Sequence, residues 1–122
     1  MMNWIAIAAI NLAMAVALGA FGAHGIKAIA SAEQLAWWHT GAQYLFYHAL
    51  GLLLVGLLIK LGYTTQTTAW LIQIGIIIFA GSLFAMTLGA PRWFGAITPI
   101  GGSLMIIGWV WLAITAFRLV PR

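Results

Sequence analysis

Charge is what this chain has least of. Of 122 residues, five are basic, one is acidic and 65% are apolar. A water-soluble domain carries about 25% charged residues, because its surface must be solvated. Six charges cannot cover the outside of a globule this size, so most of that surface is expected to face hydrocarbon. Glu33 is the only acid, which excludes paired-carboxylate chemistry and Asp/Glu proton wires within one subunit. Cysteine is absent, so disulfides, thiolate metal sites and cysteine nucleophiles are excluded too. Clustered cations are also missing. Lys27, Lys60, Arg92, Arg118 and Arg122 stand singly despite a net charge of +4. A phosphate-binding surface needs Lys and Arg gathered in one patch, so no nucleic-acid partner is expected.

Long apolar runs fill the chain instead. Four reach the ~20 residues that a spanning helix needs, at about 2–23, 41–61, 69–90 and 99–117. Hydrocarbon allows only helices or closed barrels, and continuous apolar runs disfavour the ~10-residue alternation of barrel strands. The expected fold is all-α: an integral membrane four-transmembrane-helix bundle, one domain over residues 1–122. The first run lacks a basic leader and exceeds the ~7–15 apolar residues of a signal peptide, so it is read as a span.

The breaks carry helix-terminating chemistry. Gly22 and Gly25 are expected to end the first helix, and Gly62 to cap the second. Ser31-Ala32-Glu33-Gln34 reads as a capping box, starting the second helix near Ala32. The polar run 64–68 offers an N-cap for the third helix, and Gly89-Ala90-Pro91 ends it. Thr98-Pro99 places a capping hydroxyl before a first-turn proline to open the fourth. Trp37, Trp38, Tyr63, Trp70 and Trp93 fall near span ends, as an interfacial aromatic belt requires. Lys60, Arg118 and Arg122 share one side against Lys27 and Arg92 on the other. That asymmetry favours both termini inside a bacterial cytoplasmic membrane. The repeated tripeptides Leu-Gly-Ala and Phe-Gly-Ala are read as Gly/Ala richness rather than as an internal duplication.

Two kinds of constellation stand out. Small residues recur every four positions at Asn11, Ala15, Gly19 and Ala23, and again at Gly81, Ala85 and Gly89. Such stripes allow close backbone approach, which drives helix association in lipid. Packing inside the bundle is the favoured reading here, with a subunit interface second. The other constellation is polar. Glu33, Trp37, Thr40, Tyr44, Tyr47 and His48 share one face of the extended second helix, with Gln43 at its edge. Polar side chains avoid lipid, so this stripe is expected to face the bundle, a partner or a wet cavity. His48 lies ten residues past Trp38, about 15 Å deep, where it serves either as a relay or as a neutral hydrogen-bonded tie. His24, flanked by Gly22 and Gly25, is expected at a turn with Glu33 as one candidate partner. His24 and His39 are interfacial whereas His48 is deep, so one chain offers no bis-histidine geometry, although paired His48 residues in a dimer would. No metal, haem or other cofactor is expected.

The motifs Gly22-Ala23-His24-Gly25, Gln43-Tyr44-x-x-Tyr47-His48-Ala49-Leu50, Gly81-Ser82-Leu83, Thr98-Pro99-x-Gly101-Gly102 and Gly108-Trp109 resemble one membrane family. It is catalogued as domain of unknown function 423 and is related to the transmembrane protein 256 family. The likeness covers nearly the whole chain in order; Phe84 departs from it, standing where tyrosine is often expected. The resemblance implies a small four-span membrane protein without an assigned activity. It directs attention to His24, Tyr44, Tyr47, His48, Pro99, Gly101 and Gly102. With short loops and few ionisable groups, the expected role is non-enzymatic: a self-associating bundle, or an accessory subunit of a larger membrane complex, bathed in membrane lipids. The alternative is an oligomeric channel or transporter lined by the polar stripe.

Overall fold

Asn3 opens the first helix by accepting the backbone N–H of Ala6 at 3.0 Å. In the computed structural model, which describes residues 2–119, this helix, α1, runs from Trp4 to Ile29. It is followed by α2 (Ala32–Lys60), α3 (Gln66–Thr87) and α4 (Thr98–Arg118), with a 3-10 turn at Arg92–Ala96 leading into α4. Among the described residues there is no strand. All four helices are long and apolar enough to cross a bilayer. Arg122, counted in the charge asymmetry, lies outside the described residues.

Local chemistry sets several of these boundaries. The Ser31 hydroxyl accepts from Gln34 N–H while the Gln34 side chain accepts from Ser31 N–H, so the expected capping box starts α2. Gly62 and Gly89 follow α2 and α3 with φ of 85° and 114°, the left-handed backbone that glycine alone enters cheaply.

Other expectations are corrected. Gly22 and Gly25 do not end the first helix: the chain continues through them as one π-helical turn, Gly22–Ile26, with Lys27 N–H bonded to Gly22 O. The reason is packing. A Cβ on Gly22 would lie 2.4 Å from the Trp38 ring, so the bare backbone makes room for that indole. Trp38 is accordingly no belt residue. It is 2% exposed and donates to the Leu18 carbonyl at 2.8 Å. Thr98 does not cap α4, which begins at Thr98 itself with Pro99 in the first turn; the Thr98 hydroxyl meets Ser82 on α3 instead.

Consecutive helices pack as neighbours: α1 on α2, α2 on α3, α3 on α4. The most buried is α3, with 44% of its span inside against 22–28% for the others. One core cluster joins Trp4, Ala8, Leu52, Val55, Ala69 and Ile72; a second joins Ala15, Leu45, Ile76, Ala80 and Met105. Between α3 and α4 the backbones touch. A Cβ on Gly101 would sit 2.4 Å from Phe79 N and 2.6 Å from Gly75 O. Lipid supplies no hydrophobic drive between helices, so such van der Waals contact holds the pair together.

Candidate functional site

The polar face of α2 divides into an inner and an outer part. The inner part is His48. Its Nε2 lies 3.1 Å from the indole nitrogen of Trp109 on α4, and its Nδ1 lies 3.0 Å from the Tyr44 carbonyl one turn back. An indole nitrogen only donates, so Nε2 must be the acceptor, and the ring proton belongs on Nδ1, donating to Tyr44. This neutral tautomer uses both ring nitrogens within one protomer. Its one in-plane lone pair, on Nε2, is taken up by the indole N–H, and the interhelical-tie reading gains the geometric support. Tyr44 completes the cluster by stacking on His48, with centroids 6.0 Å apart and planes at 9°, and by packing on Phe79 at 4.6 Å.

The outer part faces away from the protein. Thr40, Gln43, Tyr44 and Tyr47 are exposed, Tyr47 by 57%. The buried face of α2 is instead Trp38, Gly41, Ala42, Leu45, Ala49, Leu52 and Val55. Of the three destinations foreseen for the stripe, only the half-buried His48 turns toward the bundle, onto α4. Helical periodicity groups residues on a face without saying which face turns inward.

At the membrane surface, Glu33 pairs with Arg92 at 2.9 Å, and the Arg92 guanidinium lies over the Trp37 ring at 5.6 Å. Glu33 is therefore not the partner of His24, which is exposed on the π-helical turn. The ion pair is 78% and 55% exposed, and such pairs contribute under about 1 kcal/mol. It latches the start of α2 to the turn before α4, in a surface depression also lined by Ser31, Gln34 and Gly89.

The small-residue stripes split likewise. Ala15 is buried in the core, whereas Gly19, Gly81 and Gly89 meet nothing within 4 Å of a built Cβ, and Ala23 is exposed. Ala85 is half-buried. Close packing inside the bundle falls on other glycines, including Gly22, Gly51 and Gly75, each with a neighbour under 3 Å from the built Cβ. Of the Pro99-x-Gly101-Gly102 motif only Gly101 is pressed against another helix; Gly102 has nothing nearer than 3.8 Å. Ala15 and Gly19 instead line a lateral groove of about 310 Å³ between α1 and α2, with His39, Ala42, Gln43 and Tyr47 opposite.

Several polar ties escaped the sequence reading, two of them joining distant segments through side chains in the buried part of the bundle. Asn11 on α1 donates to Gln73 on α3 at 2.7 Å and to the Ile7 carbonyl at 2.9 Å. Thr64, in the loop after α2, lies 2.8 Å from Thr68 and 2.6 Å from Thr115, joining three segments by hydroxyls. A signal existed for the first: Gln73 is an isolated amide in an apolar run, and a buried amide needs a partner. Among the described residues every buried side-chain polar atom has a partner, and no three His, Cys, Asp or Glu side chains gather as metal ligands.

Four apolar spanning helices, a tightly packed apolar core and buried polar groups tied off within the chain define a small all-α integral membrane protein. Residues 18–102 match the model of the family described as Protein of unknown function (DUF423). The chain belongs to that family. It is 43% identical over 117 residues to a UPF0382 membrane protein of Staphylococcus saprophyticus, covering 95% of this chain and 98% of that one. It is 46% identical over 118 residues to the UPF0382 membrane protein YwdK of Bacillus subtilis, covering 94% and 96%. No solved structure matches it.

Proposed function

We propose that the protein is non-enzymatic and works through its lateral surface, as a self-associating membrane bundle or as an accessory subunit of a larger membrane complex. One observation carries this reading: the polar groups inside the bundle satisfy one another, while the groove flanked by Gln43 and Tyr47 opens sideways. A substrate site or conduit within one protomer would need converging polar groups with free valence. His48 has none to offer, and the core clusters are aliphatic and aromatic. The short loops leave no room for a separate catalytic domain.

The same reading sets the protein in a bacterial cytoplasmic membrane with both termini inside, on the greater number of basic residues flanking that side. Affinity purification in mild detergent, followed by native mass spectrometry, tests the role. Homo-oligomers or a stoichiometric membrane-protein partner are expected. A lone monomer without partners would overturn it.

A further inference from the structure

We infer that the outer face of α2 is a twofold self-association surface, with Gln43 paired to Gln43 of a second copy across the axis. This deepens the self-association reading above and rests on it.

The argument begins with depth. Trp37, in the second turn of α2, and Lys60, its last residue, mark the two interfaces of this span. The 23 residue steps from Trp37 to Lys60 span about 34 Å at ~1.5 Å each, a little over the ~30 Å hydrocarbon core. Gln43 lies six residues in from Trp37, about 9 Å along the axis, and so in the outer part of the hydrocarbon, about one turn past the interfacial His39. It is exposed there, and its carboxamide makes no hydrogen bond to any described residue. By contrast the buried Asn11 and the half-buried Gln73, amides that face into the bundle, are bonded to each other. An amide left facing acyl chains forfeits its hydrogen bonds, because lipid offers neither donor nor acceptor at that depth.

The occupant follows from the chemistry of the group. A carboxamide carries both a donor and an acceptor, so two copies related by a twofold axis satisfy each other with paired N–H···O bonds. An isologous contact needs this self-complementarity. A carboxylate or an ammonium in the same place would repel its own copy.

The neighbourhood permits close approach. Beside Gln43 the groove between α1 and α2 is lined by Ala15, Gly19 and Ala42, and a Cβ built on Gly19 meets nothing within 4 Å. Its volume of about 310 Å³ suits a large side chain such as a partner's aromatic ring. Toward the far end the same face continues through Leu50, Leu54 and Leu57, all exposed, at alternating spacings of three and four residues. That spacing keeps one seam against a facing helix at a shallow crossing angle, and a single amide within an apolar seam fixes register.

The cysteine-free chain suits a cross-linking test in liposomes at low protein-to-lipid ratio. Single cysteines at Leu50→Cys or Leu54→Cys are expected to give a disulfide-linked dimer on mild oxidation. Cysteines on other exposed faces, Val16→Cys on α1, Ile77→Cys on α3 and Ile106→Cys on α4, are expected to give no disulfide-linked dimer. Gln43→Leu should raise the dimer dissociation constant roughly three- to thirtyfold, the range one or two interhelical hydrogen bonds produce. Its helix content should not change, nor its thermal midpoint at dilutions where both variants are monomeric, since Gln43 has no bond within the protomer to lose. A dimer cross-linked through position 77 or 106 instead would overturn this face while leaving self-association standing. A monomer at every concentration would overturn both, and an unchanged dissociation constant for Gln43→Leu would remove the amide pair.

Discussion

Trp109 on α4 donates its indole proton to His48 on α2 across 3.1 Å, and this one bond fixes the proton of the imidazole on the opposite nitrogen. The pair ties together two helices that are not sequence neighbours. A Cβ on Gly51, three residues past His48, would come 2.7 Å from the same indole, so the backbone of α2 is shaped around Trp109 as well. The deepest histidine of the chain is therefore bonded at both ring nitrogens within one protomer.

The first prediction concerns that pair. Trp109→Phe keeps most of the ring but leaves Nε2 without a donor, and should lower stability by about 1–2 kcal/mol. Replacing both partners, His48→Leu with Trp109→Phe, should restore part of that loss, because no polar group is then stranded. Thermal unfolding in detergent reads both. Nitrogen NMR of labelled histidine should place the proton on Nδ1; a proton on Nε2 would contradict the assignment.

The π-helical turn supplies the second. Gly22→Ala forces a methyl to 2.4 Å from the buried Trp38 ring, which has no free end to swing away. A loss of about 1–3 kcal/mol is expected from this overpacking. Trp38→Phe in the same chain should recover some of it, so the two substitutions should be strongly non-additive. Additive losses would mean that Gly22 serves some purpose other than accommodating the indole.

How much of this was legible beforehand differs from residue to residue. The start of α2 was, because a capping box is written within four residues and needs nothing from elsewhere. Gly62 and Gly89 were legible for the same reason. The role of Gly22 was not, because what decides it is Trp38, on the next helix. The direction of the polar stripe was not either. In a soluble helix polar residues mark the solvent side, but here lipid and core are both apolar and that contrast vanishes. Only His48 found its partner inside, and that required Trp109, an indole too deep in its span to be a belt residue. Such a donor in mid-membrane was itself a hint that an acceptor stood opposite.

A third prediction separates two adjacent glycines of one motif. At Gly101 an added methyl would meet the backbone of Phe79 and the carbonyl of Gly75, which cannot move without pushing α4 off α3. At Gly102 the nearest atoms are 3.8 Å away, an ordinary contact. Gly101→Ala should therefore cost about 1–3 kcal/mol and loosen the α3–α4 pair. Gly102→Ala should be neutral or slightly stabilising, alanine being the better helix former. Equal effects in a thermal-shift series would refute the close approach of the two backbones.

The last prediction concerns the amide pair inside the bundle, which sets the reference for the unpaired amide outside it. Asn11 is 7% exposed, and its side chain bonds both to Gln73 and to its own helix. Asn11→Leu strands the Gln73 amide, while Gln73→Leu leaves Asn11 with the Ile7 carbonyl, so the first should be the more damaging. The coupling from a double-mutant cycle should fall at about 0.5–2 kcal/mol, as for hydrogen bonds between membrane helices generally. Reversible unfolding in mixed micelles gives all four corners. A coupling indistinguishable from zero would mean that the bundle gains nothing from pairing amides in hydrocarbon. The same result would weaken the case that Gln43 requires a second Gln43, since both rest on the cost of an unbonded carboxamide away from water.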